Sequence, residues 1–519
     1  MEPKGSESPS PTVSSPRCSM ASVSALDDMY PSHSLASLTP NAADTPSIPP
    51  KRAYIAVAVL CYINLLNYME RYTVAGVLSI IQTVFALSDS TAGLLQTMFI
   101  VSLSLLAPVF GYFGDRYNRK HIIIGGLIVW FACAAGSSFV GPSHFWLLVL
   151  LRSLVGVGEA SYSTLAPTII ADLFTGSKRS LIICIFYICI PVGSGLGYIT
   201  GAGTAALTRD WRWALRITPI LGLVGLALLV FLCPHPPREA TETQGEGVGK
   251  RSSYLKDIKY ILKIKSYVWS TLGVTALAFL TGALAFWMPT FLSRAHVTQG
   301  IRPPCTNEPC DPTDSLIFGV VTVATGIIGG VTGSALSRHF RDKMPNADPF
   351  ICVVGMIGSV PCLFITIFVA SASIPATYVF IFIGELLLSL NWAVLADMLL
   401  YVVMPTRRAT AEALQIIVGH LLGDAGSPFL LGVISDAIHA SRPESSDWSF
   451  HSLQYSLLLL PFVGILGGVF FLFASFYVAE DRNAVQQLLT GATATVELGT
   501  MKNHLDTTAD AEKELNVPT

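Results

Sequence analysis

Long apolar stretches dominate this chain of 519 residues and limit what it can fold into. A helix needs about 20 predominantly apolar residues to cross the hydrocarbon core of a bilayer, and its backbone polar groups must be satisfied within the helix. Charged residues make up only 13% of the chain, about half of their usual share in soluble domains. The sequence therefore predicts an all-α membrane protein with twelve transmembrane helices. The predicted spans lie near residues 53–81, 91–113, 121–140, 145–170, 180–203, 214–233, 267–292, 315–336, 349–370, 375–403, 409–437 and 452–479.

The distribution of Lys and Arg predicts how these spans are oriented, because basic residues concentrate in cytoplasmic loops. If the N-terminus is cytoplasmic, 24 of the 32 Lys and Arg residues fall on that side, and two, Arg71 and Arg152, lie inside spans. An even number of spans then places both termini in the cytoplasm. The remaining six residues face the opposite side: Arg209, Arg212, Arg216, Arg294, Arg302 and Arg442.

Polar segments divide the chain into five parts. Residues 1–52 are rich in Ser, Pro and Thr, and they have too few bulky apolar side chains to offset the entropy cost of ordering. We therefore expect a disordered cytoplasmic tail there. The basic segment 234–266 is predicted to be a cytoplasmic linker between two six-helix halves, residues 53–233 and 267–480. The polar residues 481–519 form the predicted cytoplasmic C-terminal tail.

The two halves resemble each other in short strings. "GYFGDRYNRK" follows the second span, and "GSALSRHFRDK" stands at the equivalent place after the eighth. "ADLF" ends the fourth span where "ADML" ends the tenth, and "PVGSGLG" in the fifth span corresponds to "GDAGSP" in the eleventh. These coincidences indicate a repeat of six helices, which is typical of secondary transporters.

Four charged residues lie inside the first and fourth spans. Glu70 and Arg71 are neighbours, whereas Arg152 and Glu159 are seven residues apart, so that they lie on one helix face about 10 Å from each other. An ionisable residue within a membrane helix normally faces the bundle interior and indicates function. We expect the two pairs to meet in the bundle centre as a neutral cluster.

Glycines accompany this cluster. Gly156 lies on the same face as the two charged residues and Gly158 is next to Glu159, so we expect both to let the first span approach closely. One interpretation is a static ion network that only fixes helix register. The other gives the Arg residues an anionic headgroup and gives Glu159, with Glu70 as the second choice, a movable proton. Burial raises the pKa of a carboxyl group and a neighbouring Arg lowers it, so a substrate that takes the Arg would change the affinity for protons.

The tenth span carries further polar residues. Glu385 and Asn391 are predicted to add polar contacts to the site from the second half. Asp397 lies near the cytoplasmic end of that span, where we expect it to pair with Arg407 or Arg408.

Several strings together carry a family resemblance over about residues 53–480. They are "LNYMERYTVAGVL", "GYFGDRYNRK", "GVGEASYSTLAPT", "PVGSGLGYITG", "DSLIFG", "MPTRRATAEALQ" and "HLLGDAGSP". The second matches the loop signature of the major facilitator superfamily, and the whole set resembles the spinster homologues of that superfamily. The resemblance implies the major facilitator fold and transport of sphingolipids, such as sphingosine-1-phosphate, or of lysophospholipids across the plasma membrane or a lysosomal or endosomal membrane. One departure is Glu70, because the family usually has Asp there.

The loop signature implies a role in gating rather than in substrate binding. Gly111 is expected to allow close helix packing, and Asp115 to pair with a basic group on a neighbouring helix. Arg116, Arg119 and Lys120 are expected to face the cytoplasm. The alternative is an ordinary basic loop on the cytoplasmic side.

Cys305 and Cys310 are separated by four residues in the loop after the seventh span. That loop lies on the predicted oxidising side, so we expect a local disulfide. No nucleotide-binding, zinc-protease, C-x-x-C or G-x-S-x-G motif occurs in the sequence. We therefore expect no cofactor, metal, nucleic-acid partner or enzymatic activity, and a monomeric transport unit.

The leading hypothesis is a secondary active transporter that moves an amphiphilic anionic lipid by alternating access, with protons as the candidate coupling ions. Two alternatives remain at this point. One is a proton-coupled carrier of small polar solutes or drugs, and the other is a multi-spanning receptor or scaffold without transport.

Overall fold

A computed structural model describes residues 49–174, 176–233, 254–305, 310–341, 343–443 and 445–515, and of residues 489–515 it describes only the backbone. Most of the predicted disordered tail, and residues 234–253 of the predicted linker, lie outside this part of the chain.

Twelve helices in the described part are long and apolar enough to cross a membrane, which confirms the predicted number. Every regular element described is helical, and no strand occurs among these residues. We number the spanning helices in chain order. Their bounds are α1 Pro50–Gly76, α2 Asp89–Arg116, α3 Arg119–Ser137, α4 Phe145–Leu173, α5 Gly176–Thr208, α6 Arg212–Leu232, α7 Lys265–Thr298, α8 Thr313–Arg341, α9 Ala347–Val369, α10 Ile374–Val402, α11 Arg408–His439 and α12 Ser446–Leu515.

Three of these helices depart from a regular course. α1 ends earlier than predicted, because the backbone breaks at Val77 (φ −117°, ψ 15°) before a separate helix, Leu78–Phe85. α11 contains a π turn, His420–Asp424, between two α-helical segments. α12 is interrupted at Leu458 and then continues through Leu515, well beyond the predicted span.

Each half of six helices buries large side chains of its own. Trp130 and Tyr162 lie in the core of the first half, and Trp287 and Phe450 lie in that of the second; all four are less than 2% exposed. Many large apolar side chains on the outer surfaces of both halves are exposed, as expected for helices that contact lipid.

The halves meet where α2 contacts α11 and where α5 contacts α8. A Cβ atom on Gly93 of α2 would lie 2.5 Å from the carbonyl oxygen of Pro428 in α11. A Cβ atom on Gly319 of α8 would lie 2.6 Å from the carbonyl oxygen of Gly195 in α5. Backbones therefore approach each other directly at both contacts, which only glycine permits. Gly195 belongs to "PVGSGLG", so this string contributes to helix packing.

The internal repeat is visible in two ion pairs at one end of the bundle. Arg119 at the start of α3 lies 2.5 Å from Asp172 near the end of α4. Arg341 at the end of α8 lies 3.1 Å from Asp397 near the end of α10. The two acids come from the matching strings "ADLF" and "ADML", so both halves join the same pair of helix ends in the same way.

The short helix Tyr254–Ile261 lies at this end, which we call the linker side. Its Asp257 lies 2.7 Å from Arg407 in the loop between α10 and α11. The expected pairing of Asp397 with Arg407 or Arg408 is therefore wrong. α10 packs against α8, so Asp397 meets an Arg on that helix rather than one that follows it in sequence.

A buried ion network joins the halves at the opposite end, the far side. Arg294 of α7 lies 2.5 Å from Asp89 at the start of α2, and Asp89 is only 7% exposed. Asp436 of α11 accepts hydrogen bonds from the backbone N–H groups of Asp89 at 2.9 Å and Ser90 at 3.0 Å. On the linker side, the ion pairs among the described residues join helices of one half or bind the linker helix. The two halves are thus tied together by charge at the far side.

The loop after α7 lies on the far side. In the structure the sulfur atoms of Cys305 and Cys310 are joined, and their Cα atoms are 5.6 Å apart, within the usual range for a disulfide. The carbonyl oxygen of Cys305 accepts a hydrogen bond from Thr83 at 3.2 Å, so this loop rests on the helix that follows α1.

We predict that Cys305 and Cys310 form a disulfide in the mature protein. Alkylation without reduction should leave both cysteines unlabelled in the peptide that contains them, and reduction before alkylation should add a label to each. A Cys305→Ser variant should leave Cys310 open to alkylation and serves as the control. Alkylation of both cysteines in unreduced wild-type protein would contradict the prediction.

A second prediction concerns the far-side network. Arg294→Gln leaves Asp89 buried without its cation, a cost of about 3–5 kcal/mol. The melting temperature of the purified protein should fall well below that of wild type. Arg442→Gln is the matched control, because Arg442 is an exposed far-side residue that stacks on Trp448. Equal melting temperatures for the two variants would show that the network does not hold the halves together.

Candidate functional site

The four charged residues of α1 and α4 form two crossed ion pairs. Nη2 of Arg71 lies 2.9 Å from Oε1 of Glu159, and Nη1 of Arg152 lies 3.0 Å from Oε1 of Glu70. All four are buried: Arg71 is 6% exposed, and the others are 0–1% exposed. The structure thus brings together the residues that we expected to meet, and it pairs each Arg with a Glu on the other helix.

The spacing on α4 explains why the pairs cross. Arg152 and Glu159 are two turns apart on one face, about 10 Å along the helix axis. Glu70 and Arg71 are adjacent on α1, and their side chains enter the space between these two residues. Glu70 reaches Arg152 at one end, and Arg71 reaches Glu159 at the other. Two positive and two negative charges balance, which lowers the cost of placing them in an apolar bundle.

The glycines beside the cluster pack against other helices than we expected. A Cβ atom on Gly158 would lie 2.5 Å from the carbonyl oxygen of Gly126 in α3, and one on Gly156 would lie 3.2 Å from the carbonyl carbon of Phe99 in α2. The prediction that these glycines admit α1 is therefore wrong. α1 meets α4 through long charged side chains, which need space between the helices, whereas α2 and α3 approach the α4 backbone.

Phe99 and Asn67 complete the cluster. The ring of Phe99 lies between the two guanidinium groups, 5.3 Å from Cζ of Arg71 and 5.0 Å from Cζ of Arg152. With its amide nitrogen turned towards the carboxylate, an orientation assigned from its hydrogen-bond partners, Asn67 donates to both oxygens of Glu159 at 2.7 and 2.8 Å. Asn67 is one helical turn before Glu70, so its position in the sequence could have indicated that it belongs to the cluster. Nothing in the sequence distinguished Phe99 from other core aromatic residues.

Some polar atoms of the cluster have no protein partner among the described residues. They are Nε of Arg71 and Nε and Nη2 of Arg152. Buried donors without acceptors are costly, so natural proteins rarely keep them without a functional reason. The arginines thus retain N–H groups that an anionic oxygen could accept from.

The π turn of α11 lies next to the cluster from the second half. Nδ1 of His420 lies 2.9 Å from Oδ1 of Asp424. Asp424 is within electrostatic reach of Arg71, and His420 is within reach of Glu159. From the sequence, both are polar residues of the eleventh span, and a histidine there is more often a satisfied polar residue than a proton relay. π turns are frequent at functional sites, but the single extra residue that makes one leaves no clear pattern in a sequence.

Glu385 and Asn391 belong to α10 in the second half. Glu385 accepts a hydrogen bond from Thr325 of α8 at 3.3 Å. Asn391 is fully buried, donates to the backbone of its own helix at Leu388, and packs against Gly355 of α9. In the described part of the chain, no hydrogen bond connects either residue to the crossed pairs. Their contribution of polar contacts to the site stays a prediction.

The basic residues of the loop signature bind the ends of helices in the first half. Arg119 forms the ion pair with α4 described above. Lys120 donates to the carbonyl oxygens of Val230 at 2.9 Å and Cys233 at 2.7 Å. These groups lie at the C-terminal end of α6, where a positive charge is favourable. Arg116 is exposed and lies 3.7 Å above the ring of Tyr112. Two of the three thus support helix ends, and Arg116 remains at the surface.

The close packing expected at Gly111 occurs three residues later. A Cβ atom on Gly111 would lie 3.6 Å from Cγ2 of Thr164, an ordinary contact, so the structure does not require glycine there. At Gly114 the added atom would collide with the side chain of Leu165. The side chain of Asp115 lies outside the described residues, so its pairing stays a prediction.

Comparisons with known sequences identify relatives over most of the chain. The family model "Major Facilitator Superfamily" matches residues 60–423. Protein spinster homolog 3 of Danio rerio is 63% identical over 462 residues, which cover 89% of this chain and 93% of the relative. Human protein spinster homolog 3 is 53% identical over 447 residues, covering 86% and 87%. Human protein spinster homolog 1 is also 53% identical, over 444 residues that cover 85% and 84%.

Solved structures share the fold at low sequence identity. A bacterial homolog of the human lysosomal transporter Spinster, in an inward-facing and occupied conformation, matches with a TM-score of 0.72 and 19% identity. The match covers 84% of this chain and 99% of the bacterial one. A D-xylose–proton symporter matches with a TM-score of 0.62 and 18% identity, over 80% of this chain and 97% of the symporter.

Proposed function

Because the chain belongs to the spinster homologues of the major facilitator superfamily and is a membrane transporter, we propose that it is a secondary active carrier of an amphiphilic anionic lipid. The observation that carries this proposal is the pair of crossed Arg–Glu bridges inside the bundle, with guanidinium N–H groups left unpaired by the protein. The carrier would work by alternating access between its two six-helix halves.

The chemistry of the cluster favours a phosphate headgroup. A guanidinium group presents a planar set of donors that suits phosphate oxygens. Arg71 is the more accessible of the two arginines and lies within electrostatic reach of the second half through Asp424. A headgroup bound there would sit between the halves while its acyl chain lies against apolar helix faces. Sphingosine-1-phosphate and lysophospholipids both have this form.

Glu159 is our candidate for proton coupling. Its partners are Arg71 and Asn67, with His420 within electrostatic reach. If the phosphate takes Arg71, Glu159 loses its cation in a dry environment, where a neutral carboxylic acid is favoured over a carboxylate. Lipid entry would then bring a proton to Glu159, and lipid release would return Arg71 to it. Glu70 holds Arg152 in the same way and is the second candidate.

Other parts of the molecule would control the change between the two conformations of the carrier. The Arg294–Asp89 network holds the two halves together at the far side in this conformation, and we propose that the lipid reaches the cluster from the linker side. We place the linker side and both termini in the cytoplasm, because the basic residues concentrate there. The loop signature, with Asp115 as its acidic member, would stabilise one of the two states. The membrane would be lysosomal or plasma membrane; the bacterial homolog's relation to a lysosomal transporter favours the former.

Arg71→Ala tests the headgroup site. The change removes an anion contact and leaves Glu159 under-paired, at a cost of about 3–5 kcal/mol. Binding of a phosphorylated single-chain lipid to the purified protein should be lost, and vesicle flux of that lipid should stop. Arg442→Ala, which changes an exposed far-side Arg, should bind and transport like wild type. Unchanged lipid flux in Arg71→Ala would remove this Arg from the site, and flux of small polar solutes instead of lipid would favour the alternative carrier function.

Glu159→Gln tests coupling separately from binding. The amide keeps the shape but cannot hold the transported proton, so the variant should still exchange lipid between two loaded compartments. It should fail to concentrate lipid against a gradient, and its rate should lose pH dependence between about pH 5 and 8. Glu480→Gln, at an exposed carboxylate near the end of the α12 span, is the control. Full uphill transport with the wild-type pH profile in Glu159→Gln would exclude Glu159 from coupling.

A further inference from the structure

A groove runs along the outer surface of the first half, between α3 and α6. Its volume is about 530 Å³, and its lining is apolar except at one end. Phe139, Ile220 and Leu223 in this lining are 76%, 54% and 59% exposed, so the groove faces the membrane and not the bundle centre. It is therefore separate from the crossed ion pairs.

Arg216 closes the far-side end of the groove. Its guanidinium group stacks between two aromatic rings, 5.0 Å from Phe139 and 5.2 Å from Trp213, and its Nε donates to Ser138 at 3.0 Å. In the described part of the chain, no carboxylate lies within 4 Å of this guanidinium group.

Three arginines with mostly buried side chains do have such a partner. Arg71, Arg152 and Arg294 each lie 3.0 Å or less from a carboxylate. Arg216 is four residues, or about 6 Å, inside the start of α6, where a charge without a counter-ion is costly. Its Nη groups and the open groove beside it leave room for an anion that comes from the bilayer.

The length of the groove matches one leaflet. From Arg216 to Leu226 the α6 side extends about 15 Å, at about 1.5 Å per residue. Half of the hydrocarbon core of a bilayer is about 15 Å thick. An acyl chain that enters beside Arg216 would therefore end near the bilayer midplane, where the groove also ends.

We propose that this groove binds an anionic phospholipid of the far-side leaflet, with its phosphate on Arg216 and one acyl chain between α3 and α6. The ligand is a resident of the membrane, held on the outside of the first half by a charge-assisted hydrogen bond and by apolar contact. The proposal does not rest on the transport substrate, because the site and the crossed pairs share no residue.

The test uses full-length protein purified in detergent and stripped of lipid. Phosphatidylglycerol and phosphatidylcholine with identical acyl chains are titrated, and bound lipid is counted by native mass spectrometry. Wild type should bind phosphatidylglycerol about tenfold more tightly, because the choline cation of phosphatidylcholine offsets the phosphate charge that Arg216 binds. Arg216→Gln should reduce that ratio to about one. Arg442→Gln, which removes another far-side Arg stacked on a ring, should keep the wild-type ratio.

A second variant tests the groove with Arg216 intact. Ala132 lines the groove and is exposed, so Ala132→Phe should block the acyl chain and weaken the binding of both lipids. This variant also keeps the test decisive if Arg216→Gln does not fold. Equal binding of the two lipids to wild type would overturn the proposal. An unchanged ratio in Arg216→Gln, an equal loss in Arg442→Gln, or unchanged binding of both lipids to Ala132→Phe would overturn it as well.

Discussion

The crossed ion pairs between α1 and α4 are the interaction on which the rest of this structure depends. Four charges in an apolar bundle are tolerable only while each has an opposite charge at hydrogen-bond distance. The register of α1 against α4 is therefore fixed by Glu70, Arg71, Arg152 and Glu159 together, and no single member can change without exposing another. The same condition limits any ligand that enters the cluster, because it must replace a charge partner and not merely add one. A phosphate meets this condition when a proton arrives with it, which is why headgroup binding and protonation of Glu159 are linked in the proposed function.

Ion pairs at the two ends of the bundle have different tasks. On the linker side, Arg119 and Arg341 each fasten helices within one half, in equivalent positions of the repeat. At the far side, Arg294 and Asp89 connect the two halves. The first kind keeps each half rigid, and the second kind holds one arrangement of the halves. A movement that opens the far side must break the second kind, whereas the first kind can persist throughout.

Sequence reasoning predicted the spans, the repeat and the members of the charged cluster, because each of these depends on composition or on spacing along one helix. It failed where the answer depends on which helix is the neighbour. Gly156 and Gly158 contact α2 and α3, and Asp397 meets α8. These neighbours could not be predicted, because a local stretch of sequence does not show which helices are adjacent in space. Phe99 was missed for the same reason. The His420–Asp424 turn was missed because one extra residue in a helix changes no composition and breaks the regular period on which such reasoning relies.

That extra residue has a consequence for the whole of α11. The N–H of Ala425 donates to the carbonyl oxygen of His420 at 2.9 Å, five residues earlier, so the helix contains one residue more than its regular course would hold. In an α-helix each residue turns the direction of the side chains by about 100°. An extra residue in a regular helix would rotate everything beyond it by about that angle, and the wider π turn absorbs this rotation. Deleting one residue from the turn would therefore restore a regular helix while residues 408–419 keep their facing relative to residues 426–439. Deleting one residue from a regular stretch of α11 would instead rotate one segment against the other, so the turn is the place where this helix can lose a residue without changing its neighbours.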